Sequence, residues 1–232
     1  MPTLSLVTGA FNRPDALWRL INSIVKRTLQ PWELIVADAS KDDYPYPYPH
    51  NVRFLREVPR LGHVKGYNRA FRETQSEYVI WLGDDVEVMP GYDWAATAFM
   101  STHPEIGLGA LYYAEAVPPF KVNTHSGMVY ANFGIIRRSI GMEVGWFDED
   151  LTMYGADNAL TYRVLRAGYG VASIPKARLW HHVVIDSGKI DNQKYREPDS
   201  IILREKYEKD LPAIRSTYQK HQRLCHPLVI GR

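Results

Sequence analysis

The first half of the chain alternates short apolar runs with amphipathic segments, which predicts strands and helices in turn. Four apolar runs predict buried strands, at residues 3–8, 32–38, 52–57 and 78–82. Pro14 begins a segment whose apolar residues recur about every 3.6 positions, as in a helix, and residues 62–74 predict a second helix. The Tyr-Pro repeats of 41–50 predict a loop, because proline lacks a backbone donor. This alternation predicts a mostly parallel sheet with helices on both faces.

The second half is less regular. Its apolar runs predict strands at 108–115 and 171–174, a strand turning into a short helix at 128–140, and a helix at 160–167. Between Ser200 and Leu224, charged residues interleave with apolar ones, which predicts one or two surface helices interrupted by Pro212. The pattern as a whole predicts a single α/β domain with a helical C-terminal extension.

Composition limits the class of protein without choosing its function. A chain of 232 residues with 45% apolar content can bury a full core and most simply forms one domain. A net charge of +2 gives little attraction to nucleic acid. The single cysteine, Cys225, excludes an intramolecular disulfide and fits a reducing compartment. With no apolar stretch approaching the roughly 20 residues of a membrane span and no signal pattern, we expect a cytoplasmic protein.

Positive charge is concentrated in the C-terminal tail. From Lys189 onward there are ten Lys/Arg and six Asp/Glu, so the tail carries 10 − 6 = +4 and the remainder 2 − 4 = −2. We expect a solvated helix face, and the alternative is a weak contact with a membrane surface, an anionic partner or a second copy of the chain.

The first chemical signal follows the fourth predicted strand, where Gly83 leads directly into Asp84 and Asp85. In open α/β sheets, ligands bind at the carboxyl ends of the strands, and Mg²⁺ or Mn²⁺ joins carboxylate oxygens to substrate phosphates. The acid pair therefore indicates a metal–phosphate site. The alternative is a solvated turn with Asp at its usual positions.

Two later segments carry further candidate chemistry. Asp157 lies where a loop meets a predicted helix, and it is either a functional acid or an ordinary helix cap. His181 and His182 follow an apolar segment, and paired histidines favour a metal site more than a lone histidine does.

Taken in order, these motifs resemble the family-2 glycosyltransferases of the A-type fold. They are Gly-Asp-Asp at 83–85, Gly-Trp-Phe-Asp-Glu at 145–149, Gly-Ala-Asp at 155–157 and Trp-His-His at 180–182. The resemblance implies a Rossmann-like glycosyltransferase domain over 1–185, with a nucleotide-binding half (1–90) and an acceptor half (91–185), followed by the extension at 186–232. It covers roughly residues 3 to 185.

The resemblance also implies roles for individual residues. Asp85 and His181 would hold Mn²⁺ or Mg²⁺, and Asp157 would be the base that takes the acceptor hydroxyl proton. Nucleotide contacts would come from Thr8, Asp38, Lys65 and Asp84, with Arg69 as the alternative to Lys65, because Tyr67 stands where relatives carry an arginine. Acceptor or sugar contacts would come from Trp146, Asp148 and Glu149. The family commonly has an acid where this chain has Gly83, and further acids where it has Ala156 and Ala159.

These roles predict a metal-dependent transferase that moves a sugar from a nucleotide-diphosphate donor, with a UDP-sugar favoured, to an acceptor hydroxyl, with inversion. The acceptor, a saccharide, lipid or other hydroxyl compound, is not identified by the sequence. The alternatives are a retaining transferase, a nucleotidyltransferase and a catalytically inactive sugar-nucleotide-binding relative. Ala156 and Ala159 favour the last, while the missing glycine-rich phosphate loop disfavours the nucleotidyltransferase.

Overall fold

The computed structural model of the protein describes residues 3–114, 122–182 and 187–222, without the side chains of 187–189. The predicted domain boundary after residue 185, the end of the strand predicted at 108–115, and Cys225 lie outside these residues. No helix in the described ranges is long and apolar enough to cross a membrane.

An eight-stranded mixed sheet forms the centre of the molecule. The described residues form ten strands, of which eight belong to this sheet: β1 (Leu4–Ala10), β2 (Trp32–Asp38), β3 (Val52–Arg56), β4 (Tyr78–Leu82), β5 (Val86–Val88), β6 (Ile106–Tyr113), β7 (Asn123–His125), β8 (Met128–Tyr130), β9 (Gly134–Arg137) and β10 (Gly170–His181). The sheet has the order β3-β2-β1-β4-β9-β6-β10-β5, while β7 and β8 pair separately. Strands β3, β2, β1 and β4 are parallel, whereas β9 is antiparallel to both β4 and β6.

Helices cover both faces of the sheet, as the alternating pattern predicts. They are α1 (Pro14–Arg27), α2 (His63–Arg72), α3 (Tyr92–Thr102), α4 (Arg138–Val144), α5 (Ala156–Arg166), α6 (Ser187–Asn192), α7 (Arg196–Tyr207) and α8 (Leu211–His221). One core contains α1 and α3, and the other contains α2, α4, α5, α7 and α8. Strands β5 and β7 and helix α3 were not predicted from the sequence.

The C-terminal helices are part of the main core, not a solvated arm. Leu203 and Tyr207 on α7 and Ile214 and Tyr218 on α8 are buried in the same cluster as α5. The prediction of helices in this region is confirmed by α7 and α8. Pro212 lies in the first turn of α8, where its missing N–H costs no helical hydrogen bond.

Candidate active site

A cavity of about 530 Å³ opens at the carboxyl ends of the parallel strands. The ends of β1, β2 and β4 supply one side of it, and the start of α5 supplies another. Residues from α6 and α7 also line it. Its lining includes Gly9, Phe11, Arg13, Ala37, Glu57, Arg60, His63, Tyr67, Asp84, Asp85, Tyr130, Asn132, Tyr154, Asp157, His181, Asn192 and Arg196. This is the position at which open α/β sheets bind ligands.

The acidic end of the cavity joins the end of β4 to the end of β10. His181 Nε2 lies 3.4 Å from Asp85 Oδ1, and Arg13 Nη1 lies 3.4 Å from Asp84 Oδ1. The antiparallel pairing of β10 with β5 places His181 opposite Val86, which directly follows Asp85. Two residues 96 positions apart therefore meet because a three-residue strand turns back beside β10.

The electrostatics of this end favour an ionised Asp85. Burial raises the pKa of the Asp85 carboxyl, but the hydrogen bond and charge of His181, together with the charge of Arg13, lower it by more, so the net pKa is below its ordinary value. A carboxylate beside an imidazole nitrogen is a donor set that suits a divalent metal ion such as Mn²⁺.

The protein supplies few ligands for such an ion. Within the described part of the chain, no group of three or more His, Cys, Asp or Glu side chains is arranged to hold a metal. Asp85 and His181 nevertheless converge on the cavity wall, which fits a metal whose remaining ligands are water and substrate phosphate oxygens. Where this metal is bound, it would act as a Lewis acid that neutralises charge on a diphosphate.

Gly83 provides the space in which Asp85 lies. A Cβ atom at position 83 would fall 2.7 Å from Asp85 Oδ1 and 3.3 Å from the Phe133 ring. An acid at this position, as in the family pattern, is therefore incompatible with the observed placement of Asp85.

Asp157 lies in the first turn of α5 and lines the cavity. Burial raises the pKa of its carboxyl to about 6, and the backbone N–H of Asn158, which donates to Oδ1 at 3.1 Å, only partly opposes this. The helix begins after Gly155, whose φ of +75° is in the left-handed region. A carboxyl with this pKa can accept a proton near neutral pH.

Thr8 and Asp38 were predicted to contact the nucleotide, and neither is among the cavity-lining residues. Thr8 is fully buried within β1. Asp38 accepts hydrogen bonds from Arg56 Nη1 at 2.5 Å and from the Ser40 N–H at 2.9 Å. Their nucleotide roles stay predictions, and their neighbours on the same strand ends, Gly9 and Ala37, form the actual wall.

The structure brings different cations to the cavity from those predicted. Lys65 is exposed and does not line the cavity, while Arg69 donates to the Arg56 carbonyl at 2.6 Å. Arg13 and Arg60 line it instead, and the Arg60 guanidinium lies 3.9 Å from the centre of the Phe11 ring. The local signal for Arg13 is its position in the short loop between β1 and α1, and we find no comparable signal for Arg60.

Trp146, Asp148 and Glu149 all lie outside the cavity lining. Trp146 is buried and stacks on Phe71, with ring centres 4.7 Å apart. Asp148 accepts hydrogen bonds from Lys206 and Tyr207, and Glu149 accepts from Asn68 and Arg72. Their observed contacts join α2, this loop and α7, and their role in acceptor binding stays a prediction.

The sequence did not indicate two titratable groups on the cavity wall, the buried Glu57 and the partly buried His63. Burial raises the pKa of Glu57 and lowers the pKa of His63 to about 4, so His63 is neutral at pH 7. A Cβ atom on Gly66 would lie 2.7 Å from Glu57 Oε1, so this glycine leaves room for the carboxyl. Glu57 directly follows β3, and His63 is the first residue of α2. The sequence predicted this strand and this helix without assigning either side chain to the cavity.

Comparison with known sequences places this arrangement in a family. Residues 5–146 match the model of the family described as Glycosyl transferase family 2. The chain is 26% identical over 177 residues to YwdF, an uncharacterized glycosyltransferase of Bacillus subtilis, covering 65% of this chain and 64% of that protein. It is 28% identical over 99 residues to GalNAc(5)-diNAcBac-PP-undecaprenol beta-1,3-glucosyltransferase of Campylobacter jejuni, covering 39% of this chain and 32% of that protein. The match thus spans less than two thirds of either relative.

Solved structures share the fold. The mannosyltransferase PcManGT of Pyrobaculum calidifontis, solved with GDP-Man and Mn²⁺, superposes with a TM-score of 0.66 at 17% identity, over 80% of this chain and 58% of that one. Residues 1–349 of TarS from S. aureus, solved with UDP, superpose with a TM-score of 0.62 at 18% identity, over 78% and 60% of the two chains. These likenesses establish an A-type glycosyltransferase fold.

Proposed function

The chain belongs to glycosyltransferase family 2, and from this premise we propose that it transfers a sugar from a nucleotide-diphosphate donor to an acceptor hydroxyl, with the help of a divalent metal ion. The observation that carries the proposal is that a carboxylate–histidine pair and a second carboxyl line one cavity. Asp85 and His181 lie together at the β4 end, and Asp157 lies at the start of α5.

The β4 end is suited to the leaving group of the donor. A diphosphate gains negative charge as its bond to the sugar breaks, and that charge must be neutralised. Asp85 and His181 would hold Mn²⁺ or Mg²⁺ there, and Arg13 lies on the same wall, where its positive charge can act on phosphate oxygens. Asp84 would contact the ribose or the water around the metal.

Asp157 is suited to act on the acceptor. A base with a pKa near the working pH combines a useful ionised fraction with enough basicity to take a hydroxyl proton. With its pKa at about 6, Asp157 is mostly ionised at pH 7 and still more basic than a solvated aspartate. We therefore propose a direct displacement with inversion, in which Asp157 accepts the proton as the acceptor oxygen bonds to the sugar.

For the donor we propose a uridine diphosphate sugar, with a guanosine diphosphate sugar as the second class to test. Solved relatives of the same fold were obtained with UDP and with GDP-Man. The acceptor is proposed only as a hydroxyl compound.

A donor screen tests the function. The protein is incubated with Mn²⁺ and a panel of UDP-, GDP- and other nucleotide sugars, and release of the free nucleoside diphosphate and the shift in melting temperature are followed. We expect one nucleotide class to stabilise the protein only when the metal is present. No stabilisation by any nucleotide, with or without metal, would contradict the proposal, and product stereochemistry by NMR would distinguish inversion from retention.

A further inference from the structure

The C-terminal helices contribute one wall of the cavity. Asn192 at the end of α6 and Arg196 at the start of α7 line it, together with Tyr154 and Gly155. Tyr154 and Gly155 belong to the loop that leads into Asp157. The contacts of Gln193 and Arg196 with Tyr154 therefore place this wall beside the loop that leads into the proposed base.

The Arg196 side chain, which is exposed, contacts two neighbours. Its Nε donates to Gln193 Oε1 at 3.0 Å, and its guanidinium carbon lies 4.8 Å from the centre of the Tyr154 ring. Gln193 Nε2 in turn donates to the Tyr154 hydroxyl at 3.0 Å, which closes a ring of contacts between the three residues. A guanidinium fixed through its Nε and its face keeps its two terminal nitrogens for another ligand.

Arg196 differs in this respect from Arg13 and Arg56, though not from Arg60, which packs on the Phe11 ring. Arg13 faces the Asp84 carboxylate and Arg56 binds Asp38. Among the residues that the structure describes, no carboxylate forms an ion pair with Arg196, whose contacts are those to Gln193 and Tyr154. Within the described ranges, its charge is thus not neutralised by a carboxylate.

We propose that Arg196 binds an anionic group, a phosphate or a carboxylate, on the acceptor. The inference rests on the proposed function, because it assigns the Asp157 side of the cavity to the acceptor. The planar fork of arginine matches the paired oxygens of both anions, and fixing it beforehand lowers the entropy lost on binding. The acceptor hydroxyl then lies toward Asp157 and the anionic group toward α7.

Calorimetry on the full chain tests this proposal. The donor site is first saturated with Mn²⁺ and the nucleoside diphosphate found in the donor screen, and then glucose, glucose 6-phosphate or glucuronate is titrated. The variants are Arg196→Ala and Arg196→Lys. The matched control is Arg204→Ala, which removes an exposed arginine of the same helix that does not line the cavity.

We expect the wild type and Arg204→Ala to bind a charged sugar roughly tenfold more tightly than glucose, since charge-assisted hydrogen bonds carry this preference. Arg196→Ala should lose the preference, and Arg196→Lys should recover part of it. Preference for glucose 6-phosphate identifies phosphate, and preference for glucuronate identifies carboxylate.

Equal affinity of the wild type for all three sugars, or a preference that survives in Arg196→Ala, would overturn the proposal. Nucleoside diphosphate binding, measured in the first step, separates the two levels of the argument. A protein that binds nucleotide with metal but shows no anion preference retains the proposed function and loses this inference.

Discussion

The Asp199 carboxylate on α7 accepts a hydrogen bond from the backbone N–H of Tyr154 at 2.8 Å, three residues before Asp157. The same carboxylate also accepts from the N–H groups of Met153 at 2.8 Å and Thr152 at 2.9 Å. Asp199 is 2% exposed. A helix near the C-terminus of the described chain thus holds the loop that leads into the proposed base.

Asp199→Asn should lower both stability and turnover. An amide offers one acceptor oxygen in place of two and places an NH₂ group against backbone donors, so we expect a loss of about 2 kcal/mol in the free energy of unfolding. Turnover should fall more than nucleotide affinity, because the loop carries Asp157 and not the metal ligands. Denaturant unfolding, calorimetry and kinetics measure these effects, with Glu205→Gln on the exposed face of α7 as the control. A variant with wild-type turnover would show that the loop needs no such support.

Nucleoside diphosphate binding should depend on Mn²⁺ through Asp85 and His181 and not through His182. His182 Nε2 lies 3.2 Å from Glu87 Oε2, which belongs to a separate ion pair with Arg27. We expect Asp85→Ala and His181→Ala to weaken metal-dependent binding roughly tenfold or more, and His182→Ala to leave it nearly unchanged. Calorimetry with and without a chelator measures this. Equal affinities in all variants and conditions would exclude the metal site, and a larger effect of His182→Ala would mean that the wrong histidine had been chosen.

The pH dependence of transfer should report the Asp157 carboxyl. The ionised form is the base, so kcat/KM should rise with pH through about 6 and level off above it. Asp157→Asn should leave nucleotide binding nearly intact and reduce turnover by something on the order of 10²–10⁴-fold. Near-normal turnover in the asparagine variant would reduce Asp157 to a helix-terminal residue.

Stability should change in the opposite sense. The folded pKa of Asp157, about 6, lies above its ordinary value of 3.8, so the native state binds more protons between these pH values and its stability falls as pH rises through this window. Asp157→Asn should therefore be more stable than the wild type above pH 7, by about 1–3 kcal/mol, and equally stable below pH 4. Thermal unfolding at several pH values measures this. Glu205→Gln, which removes an acid at an exposed residue of α7, is the control.

The sequence predicted the strands, and the acids that follow them, better than it predicted contacts across the chain. Strand β4 has the predicted limits, and the acid pair after it lines the cavity. Trp146 was predicted to line the sugar site, which stays a prediction. Its packing on Phe71 was not predicted, because an aromatic residue in a loop gives no sign of which face it will cover. Asp148 was assigned to the acceptor. The hydrogen bond that it accepts from Lys206 was not predicted, because the two residues are 58 positions apart in the chain.

The mixed sheet illustrates the same limit. A strand as short as β5 carries too few residues to show a periodic pattern, so its pairing with β10 could not be predicted. That pairing is nevertheless what brings His181 beside Asp85. The position of Arg196 on the cavity wall could not be predicted either. A charged helix is usually solvated, and only the packing of α7 places its first turn on the cavity.

Because Gly83 has no side chain, the effect of a mutation at this position depends on the residues that a new Cβ atom would contact. Even alanine would bring a Cβ within 2.7 Å of Asp85 Oδ1 and 3.3 Å of Phe133. The single replacement Gly83→Asp should therefore displace Asp85 and impair the site, although relatives commonly carry an acid there. The effect should be milder when Phe133 is replaced by a smaller residue, so the two positions are epistatic. An acid at position 83 would therefore need both a new placement of Asp85 and space from position 133.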